Sequence, residues 1–284
     1  MFRITKSSGT YYEDHPVSIG ILVRGDLAES WDLVEGMKTA CPDMPVLLCC
    51  ITGAGDASRS ELHRFRSAAL IESHTPISPG EGVNEIMSRS TSEKTVIIWS
   101  DMTDVSDSLC NDPPHEDALC VTPLLKDSSE KYLPRVMVPY YAGTYLRFAA
   151  LEEGRHSVMP YDYVGCYDTP MFNALQGYCS SFTNPFWQIL DFGCRAFLWG
   201  HSIVQDDLLQ ISYRRKAPVY DQSKDEDYIR WYRRNCTVVR KRGVLMRKRV
   251  FLHQRAAEEQ VWLKQNMHRF MRSMEEVING WERV

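Results

Sequence analysis

Val17-Ser18-Ile19-Gly20-Ile21-Leu22-Val23 is an apolar run closed by Arg24-Gly25-Asp26, and reading it as a buried strand decides the fold. Short continuous apolar runs bounded by turn residues suit strands covered on both faces, the environment of a parallel sheet. Working outward, a helix is expected from about Ser30 to Thr39. A second apolar run, Met44 to Ile51, ends in Thr52-Gly53-Ala54-Gly55-Asp56, and a third, Thr95 to Trp99, ends in Ser100-Asp101-Met102-Thr103-Asp104. Strands alternating with helical segments specify an α/β fold with a mostly parallel sheet. Ligands of open parallel sheets collect beyond the carboxyl ends of the strands, so Gly53, Gly55, Asp56 and Asp101 stand where a site belongs. Gly53-Ala54-Gly55 also reads as a plain tight turn.

Composition sets the limits. The 284 residues are 44% hydrophobic and 25% charged, which fits a globular protein with a sizeable core and argues against disorder or fibre. No run reaches the roughly 18 uncharged apolar residues of a spanning helix, and Met1-Phe2-Arg3-Ile4-Thr5-Lys6 leads into polar residues rather than a signal core. The expectation is a cytoplasmic protein, with peripheral membrane contact as an option. The nine cysteines lack paired CxxC spacing, and Cys49, Cys50 and Cys194 lie in apolar runs; they read as reduced, mostly buried thiols.

The formal charge of -4 hides a division. Between Ile211 and Arg255 there are 14 Lys and Arg against 4 Asp and Glu, a signal for an anionic partner or a solvated basic face. Farther on, Leu263, Met267, Phe270, Met274, Val277 and Trp281 recur at steps of four and three. That spacing predicts a helix from about Ala256 to Glu282 whose seam packs on the protein's own body or, alternatively, in a homodimer. The resulting division is 1–210, split near 105 into two halves, followed by a basic, helical extension over 211–284.

Asp191 and Arg195 lie one helical turn apart in Phe186-Trp187-Gln188-Ile189-Leu190-Asp191-Phe192-Gly193-Cys194-Arg195-Ala196-Phe197-Leu198-Trp199-Gly200. An ionised acid in so apolar a run is either paired or used in catalysis. Both readings stay open at this stage.

Taken in order, these pieces resemble the family 2 glycosyltransferases with their GT-A fold, over roughly Val17 to Ile203. Val17 to Val23 is similar to the family's first strand, and Met44 to Asp56 to the second strand with its base-holding loop. Gly80-Glu81-Gly82-Val83-Asn84-Glu85-Ile86-Met87 resembles the donor-side glycine-to-asparagine segment. Val96-Ile97-Ile98-Trp99-Ser100-Asp101 is similar to the strand delivering the DxD acids, and Leu190-Asp191 with Arg195 and Gly200 to the acceptor-side acidic motif.

The resemblance implies an inverting glycosyltransferase moving a sugar from a nucleotide-sugar to a hydroxyl on a glycan, lipid-linked or protein acceptor. It implies Asp191 as general base with Arg195 orienting it, Asp56 and Asn84 as donor contacts, and Asp101 as ligand of the diphosphate's Mn or Mg ion. A departing nucleoside diphosphate needs its charge stabilised, and an acceptor hydroxyl needs its proton removed in the transition state. Trp99 stands in place of the first DxD acid and Leu190 in place of the first acceptor-side acid. These departures motivate the alternative, a degenerate GT-A-like domain that serves as a binding or scaffolding subunit.

Other chemistries fit the sequence less well. No HxxxH or His/Cys cluster marks a zinc site, and neither GxSxG nor GxxxxGK[ST] occurs. The basic segment lacks a recognisable nucleic-acid module and suits acceptor or membrane contact better.

Overall fold

The computed structural model describes residues 2–7, 15–25, 27–52, 61–103, 105, 117–129, 131–133, 136–143, 145–152, 154–248 and 257–281. Its strands are β1 (Phe2–Lys6), β2 (Val17–Val23), β3 (Val46–Cys50), β4 (Ala68–Ser73), β5 (Lys94–Trp99), β6 (Met102–Thr103), β7 (Cys120–Lys126), β8 (Val136–Ala142), β9 (Tyr145–Leu151), β10 (Gly165–Asp168), β11 (Ile203–Tyr213), β12 (Val238–Lys241) and β13 (Val244–Arg247). Its helices are α1 (Ala28–Ala40), α2 (Pro79–Met87), α3 (Thr169–Ala174), α4 (Pro185–Leu198), α5 (Glu226–Asn235), α6 (Ala257–Asn266) and α7 (Met274–Trp281).

The main sheet runs β1-β4-β3-β2-β5-β10-β7-β11-β6. β4, β3, β2 and β5 are mutually parallel, as are β7 and β11, while β10 is antiparallel to both its neighbours. Every residue of β2, β3 and β4 is buried, as continuous apolar runs require of strands covered on both faces. From β2 the chain moves outward through β3 to β4 and returns to place β5 on the other side of β2. The carboxyl ends of β2 and β5 therefore form a topological switch point, where open α/β sheets hold ligands.

Two helices lock this end of the molecule. α2 begins in a capping box, Ser78 Oγ accepting from the Glu81 amide while the Glu81 carboxylate accepts from the Ser78 amide, with Pro79 in the first turn. α4 starts at an Asn184 cap followed by Pro185 and stops at Trp199-Gly200, where Gly200 turns with φ 91°. Phe186 through Leu198 are all buried, so α4 is a core helix rather than a surface one. At Gly193 a β-carbon would lie 1.8 Å from the Val158 carbonyl oxygen, an approach only glycine allows.

The C-terminal region departs from the expected continuous helix. α6 passes through a short 3-10 turn, Met267–Arg269, and the chain then leaves helical geometry at Phe270. The amides of Met271 and Arg272 donate to the Leu198 carbonyl at the end of α4, at 2.8 and 3.2 Å. Ser273 and Glu276 then form a capping box that restarts the chain as α7. The seam nevertheless packs inward, with Leu263, Phe270, Met274 and Val277 buried and Trp281 against Phe197 at 4.5 Å. The basic segment is not helical throughout either: after α5 it forms the β12–β13 hairpin. β11 runs through residue 210 to Tyr213, so the division expected there cuts a sheet strand.

The described cysteines form no disulfide. None of the described helices is long and apolar enough to cross a membrane.

Candidate functional site at the ends of β2 and β5

β2 and β5 end side by side, Leu22 opposite Trp99 and the Ser100 amide donating to the Leu22 carbonyl at 2.9 Å. This pairing brings Arg24, the first residue beyond β2, next to Asp101, two residues beyond β5. Arg24 Nε donates to both Asp101 oxygens at 3.2 Å, and Nη2 lies 3.1 Å from Oδ1. The same Nη2 donates to Asp162 Oδ2 at 3.2 Å. One guanidinium thus joins two carboxylates, with the Trp99 ring beneath it at 4.1 Å.

Asp162 arrives from the turn Tyr161–Tyr163. Its backbone is left-handed (φ 50°, ψ 34°), and so is that of Tyr163 (φ 65°). Two successive non-glycine residues in this region cost of order 1–3 kcal/mol each and concentrate at functional sites. The surroundings hold them there: Trp99 Nε1 donates to the Asp162 carbonyl at 2.8 Å, Tyr213 Oη donates to Oδ2 at 2.8 Å, and Tyr220 Oη donates to Oδ1. Asp162 is 0% exposed, against 13% for Asp101 and 27% for Arg24.

Burial pushes the Asp162 carboxyl up to about 6, although Arg24, Tyr220 and Tyr213 all pull the other way. For Arg24, burial acts to lower the pKa, but Asp162 and Asp101 prevail and leave it above its ordinary value. The guanidinium is a permanent cation here.

Residues of the segment assigned to an extension complete the site. Tyr213 ends β11, the Arg214 amide donates to the Asp101 carbonyl at 2.8 Å, and Tyr220 follows in the same connection. Tyr161 packs on Tyr220 with ring centroids 6.2 Å apart and donates to the Pro218 carbonyl. Arg24, Asp162, Tyr213 and Tyr220 were not singled out from sequence as site residues. Arg24 had a usable signal, its position directly after a buried parallel strand; Asp162 and the tyrosines had none, because topology alone brings them together.

The residues expected from sequence fall in different places. Asp101 is in the cluster. Asp56 lies outside the described residues, as does Asp104. Asn84 is on α2 and spends its amide on the backbone of Tyr178, donating to the carbonyl at 2.7 Å and accepting from the amide at 2.8 Å; it braces the turn before α4.

Asp191 and Arg195 sit within α4, 0% and 3% exposed. Asp191 Oδ2 accepts from Arg195 Nε at 2.9 Å and Oδ1 from Asn235 Nδ2 at 2.9 Å. Arg195 also donates to the Leu175 and Gly177 carbonyls at 2.6 and 2.7 Å. With both oxygens engaged and no surface, Asp191 cannot reach an acceptor hydroxyl. Of the two readings of the motif, this geometry is that of a buried ion pair tying α4 to α5 and to the 175–177 turn.

The described residues around Asp101 do not fit a metal ion while Arg24 keeps this place. Asp101 already has a cation on both oxygens, and no group of three His, Cys, Asp or Glu able to hold a metal occurs among the described residues. A cavity of about 610 Å³ lies elsewhere, between the β8–β9 hairpin and α7, lined by Val136, Phe197 and Trp281 among others. Sheet topology, buried charge and backbone strain locate the site, not the size of a hollow.

No family profile matches the chain, and no curated protein matches it in sequence. Solved structures do match its fold. GalNAc-T7, crystallised with UDP, GalNAc and Mn²⁺, superposes with a TM-score of 0.55 at 7% identity, over 78% of this chain and 49% of its own. The mannosyltransferase PcManGT from Pyrobaculum calidifontis, in complex with GDP-Man and Mn²⁺, gives 0.51 at 9% identity, over 80% and 64%. S. aureus TarS 1-349 gives 0.51 at 11% identity, over 76% and 63%. The chain spans about half to two thirds of the length of these proteins. Its fold is α/β with a mostly parallel sheet, of the GT-A nucleotide-sugar transferase type.

Proposed function

We propose that this protein binds a nucleotide-activated sugar at the ends of β2 and β5 and transfers the sugar to a hydroxyl acceptor, as a GT-A glycosyltransferase of family 2 character. One observation carries the reading: a strained, buried constellation of Arg24, Asp101 and Asp162 at the switch point of the sheet, in a fold shared with proteins crystallised with UDP or GDP-Man. Structure of this kind is costly and is kept where a ligand uses it.

In this reading Arg24, held by Asp101, faces the diphosphate. Direct attack by the acceptor hydroxyl forms the new glycosidic bond as the bond from the anomeric carbon to the departing phosphate breaks on the opposite face, which inverts the centre, and the hydroxyl proton passes to solvent. Asp191 and Arg195 act by positioning α4. The acceptor is a glycan, a lipid-linked molecule or a protein, and the basic β12–β13 hairpin is placed for anionic contact beside it.

The sealed state of Asp191 favours a second reading, in which the domain binds a nucleotide-sugar without transferring it. A thermal-shift panel of UDP, GDP, dTDP and CMP tests the shared part, because a ligand that binds only the folded state stabilises by RT ln(1 + [L]/Kd). A shift with one nucleotide supports the donor site, and absence of any shift removes it. Incubation with the matching nucleotide-sugar and release of free nucleotide then separates transferase from binder.

A further inference from the structure

We propose that Arg24 is a built-in counter-cation at the donor site, and that a nucleoside diphosphate binds there without a divalent metal. The inference rests on the donor-site reading above and specifies the charge that site uses.

Two carboxylates from distant parts of the chain, Asp101 after β5 and Asp162 in the Tyr161–Tyr163 turn, converge on one point. Carboxylates that converge in this way invite a cation, and the one between them is Arg24. The position is over-determined: Asp101 and Asp162 on two edges, Trp99 below at 4.1 Å and Tyr213 at 5.8 Å. A fork-shaped, permanently charged group held by several contacts is pre-organised and does not behave as a loose surface arginine. Trp99, where the family pattern has an acid, supplies a face for a guanidinium and no ligand for a metal.

The edge of Arg24 that is left points to an anion. Nε and Nη2 are engaged, whereas Nη1 makes no hydrogen bond among the described residues, and the side chain is 27% exposed. Alone, one arginine against two carboxylates would not attract a diphosphate. Beside it, however, β11 releases Arg214-Arg215-Lys216, all exposed, with the Arg214 backbone bonded to Asp101. Arg215 reaches across to Glu29 on α1 at 3.3 Å, which keeps the basic run over this end of the sheet. Phosphate oxygens placed here meet Nη1 of Arg24 and the run from Arg214 to Lys216. Asp101 and Asp162 hold Arg24 in position.

Calorimetric titration of the full chain with UDP, GDP and dTDP, once in EDTA and once in Mn²⁺, tests this. The expected result is one nucleotide whose Kd agrees within about threefold between the two media, and at least about tenfold weaker binding in EDTA by Arg24→Met. Arg24→Lys, which keeps the charge and loses the fork, should fall between. If Arg24→Met does not fold because Asp162 is stranded, Arg24→Met with Asp162→Asn removes the stranded charge and carries the same expectation. Wild-type binding that Mn²⁺ tightens about tenfold or more would overturn the inference and leave the donor site standing. Unchanged affinity in Arg24→Met would overturn it likewise. Absence of binding in both media would overturn the donor site together with it.

Discussion

At the scale of residues, Asp162 sets the behaviour of the site. Its folded pKa, about 6, lies above the ordinary 3.8. The folded state therefore holds this proton more tightly than the unfolded chain, and the stabilisation that results is complete below about pH 4 and lost as pH rises through 6. Asp162→Asn has no such proton to lose. Relative to the variant, the wild type should lose about 1 kcal/mol between pH 5 and pH 7, measured by urea unfolding at both values. A constant difference across that range would mean that Arg24 fully offsets the burial of the carboxylate. Asp191 makes a different prediction. Removing one partner of a buried ion pair leaves the other uncompensated, so Asp191→Ala should lower stability by about 3–5 kcal/mol. A variant of native stability with no transfer activity would restore Asp191 to catalysis.

At the scale of elements, α4 is a core rod, buried from Phe186 to Leu198. Its close approach to Val158 permits no side chain at position 193, and Gly193→Ala is expected to cost about 2–3 kcal/mol through a forced backbone shift, readable in the urea midpoint. A neutral substitution would show that the helix has room to move. The strands β2, β3 and β5 were legible because strands covered on both faces are apolar over most of their length. The C-terminal helix was over-extended for an equally physical reason: the apolar spacing from Leu263 to Trp281 continues across a break that only tertiary contact explains, the amides of Met271 and Arg272 bonding to Leu198. Ser273-x-x-Glu276 was the local sign of a restart.

At the scale of the whole molecule, the order β4-β3-β2-β5 makes the site by bringing Arg24 and Asp101 together across 77 positions of sequence. Spacing along the chain could locate Asp101 at a strand end but could not reveal the cation above it, nor that Tyr213 and Tyr220, from beyond the expected domain boundary, would close over Asp162. The Asp191–Arg195 pair was legible as a pair, and its isolation from the surface follows only from Asn235 and the 175–177 turn packing around it. The basic hairpin stands apart from this machinery. Lys241, Arg242, Arg247 and Lys248 are exposed beside Val244 and Met246, and basic residues near an anionic surface contribute about 1 kcal/mol each. Binding to vesicles containing phosphatidylserine should therefore be weakened by salt and by Lys241→Glu with Arg242→Glu. Equal binding to neutral vesicles would count against electrostatic contact.

The most direct test of the donor site is a crystal structure with the nucleoside diphosphate that binds. The diphosphate is expected within hydrogen-bond distance of Arg24 at the ends of β2 and β5. A nucleotide seated elsewhere, with Arg24 still closed on Asp101 and Asp162 and touching no phosphate, would contradict the account.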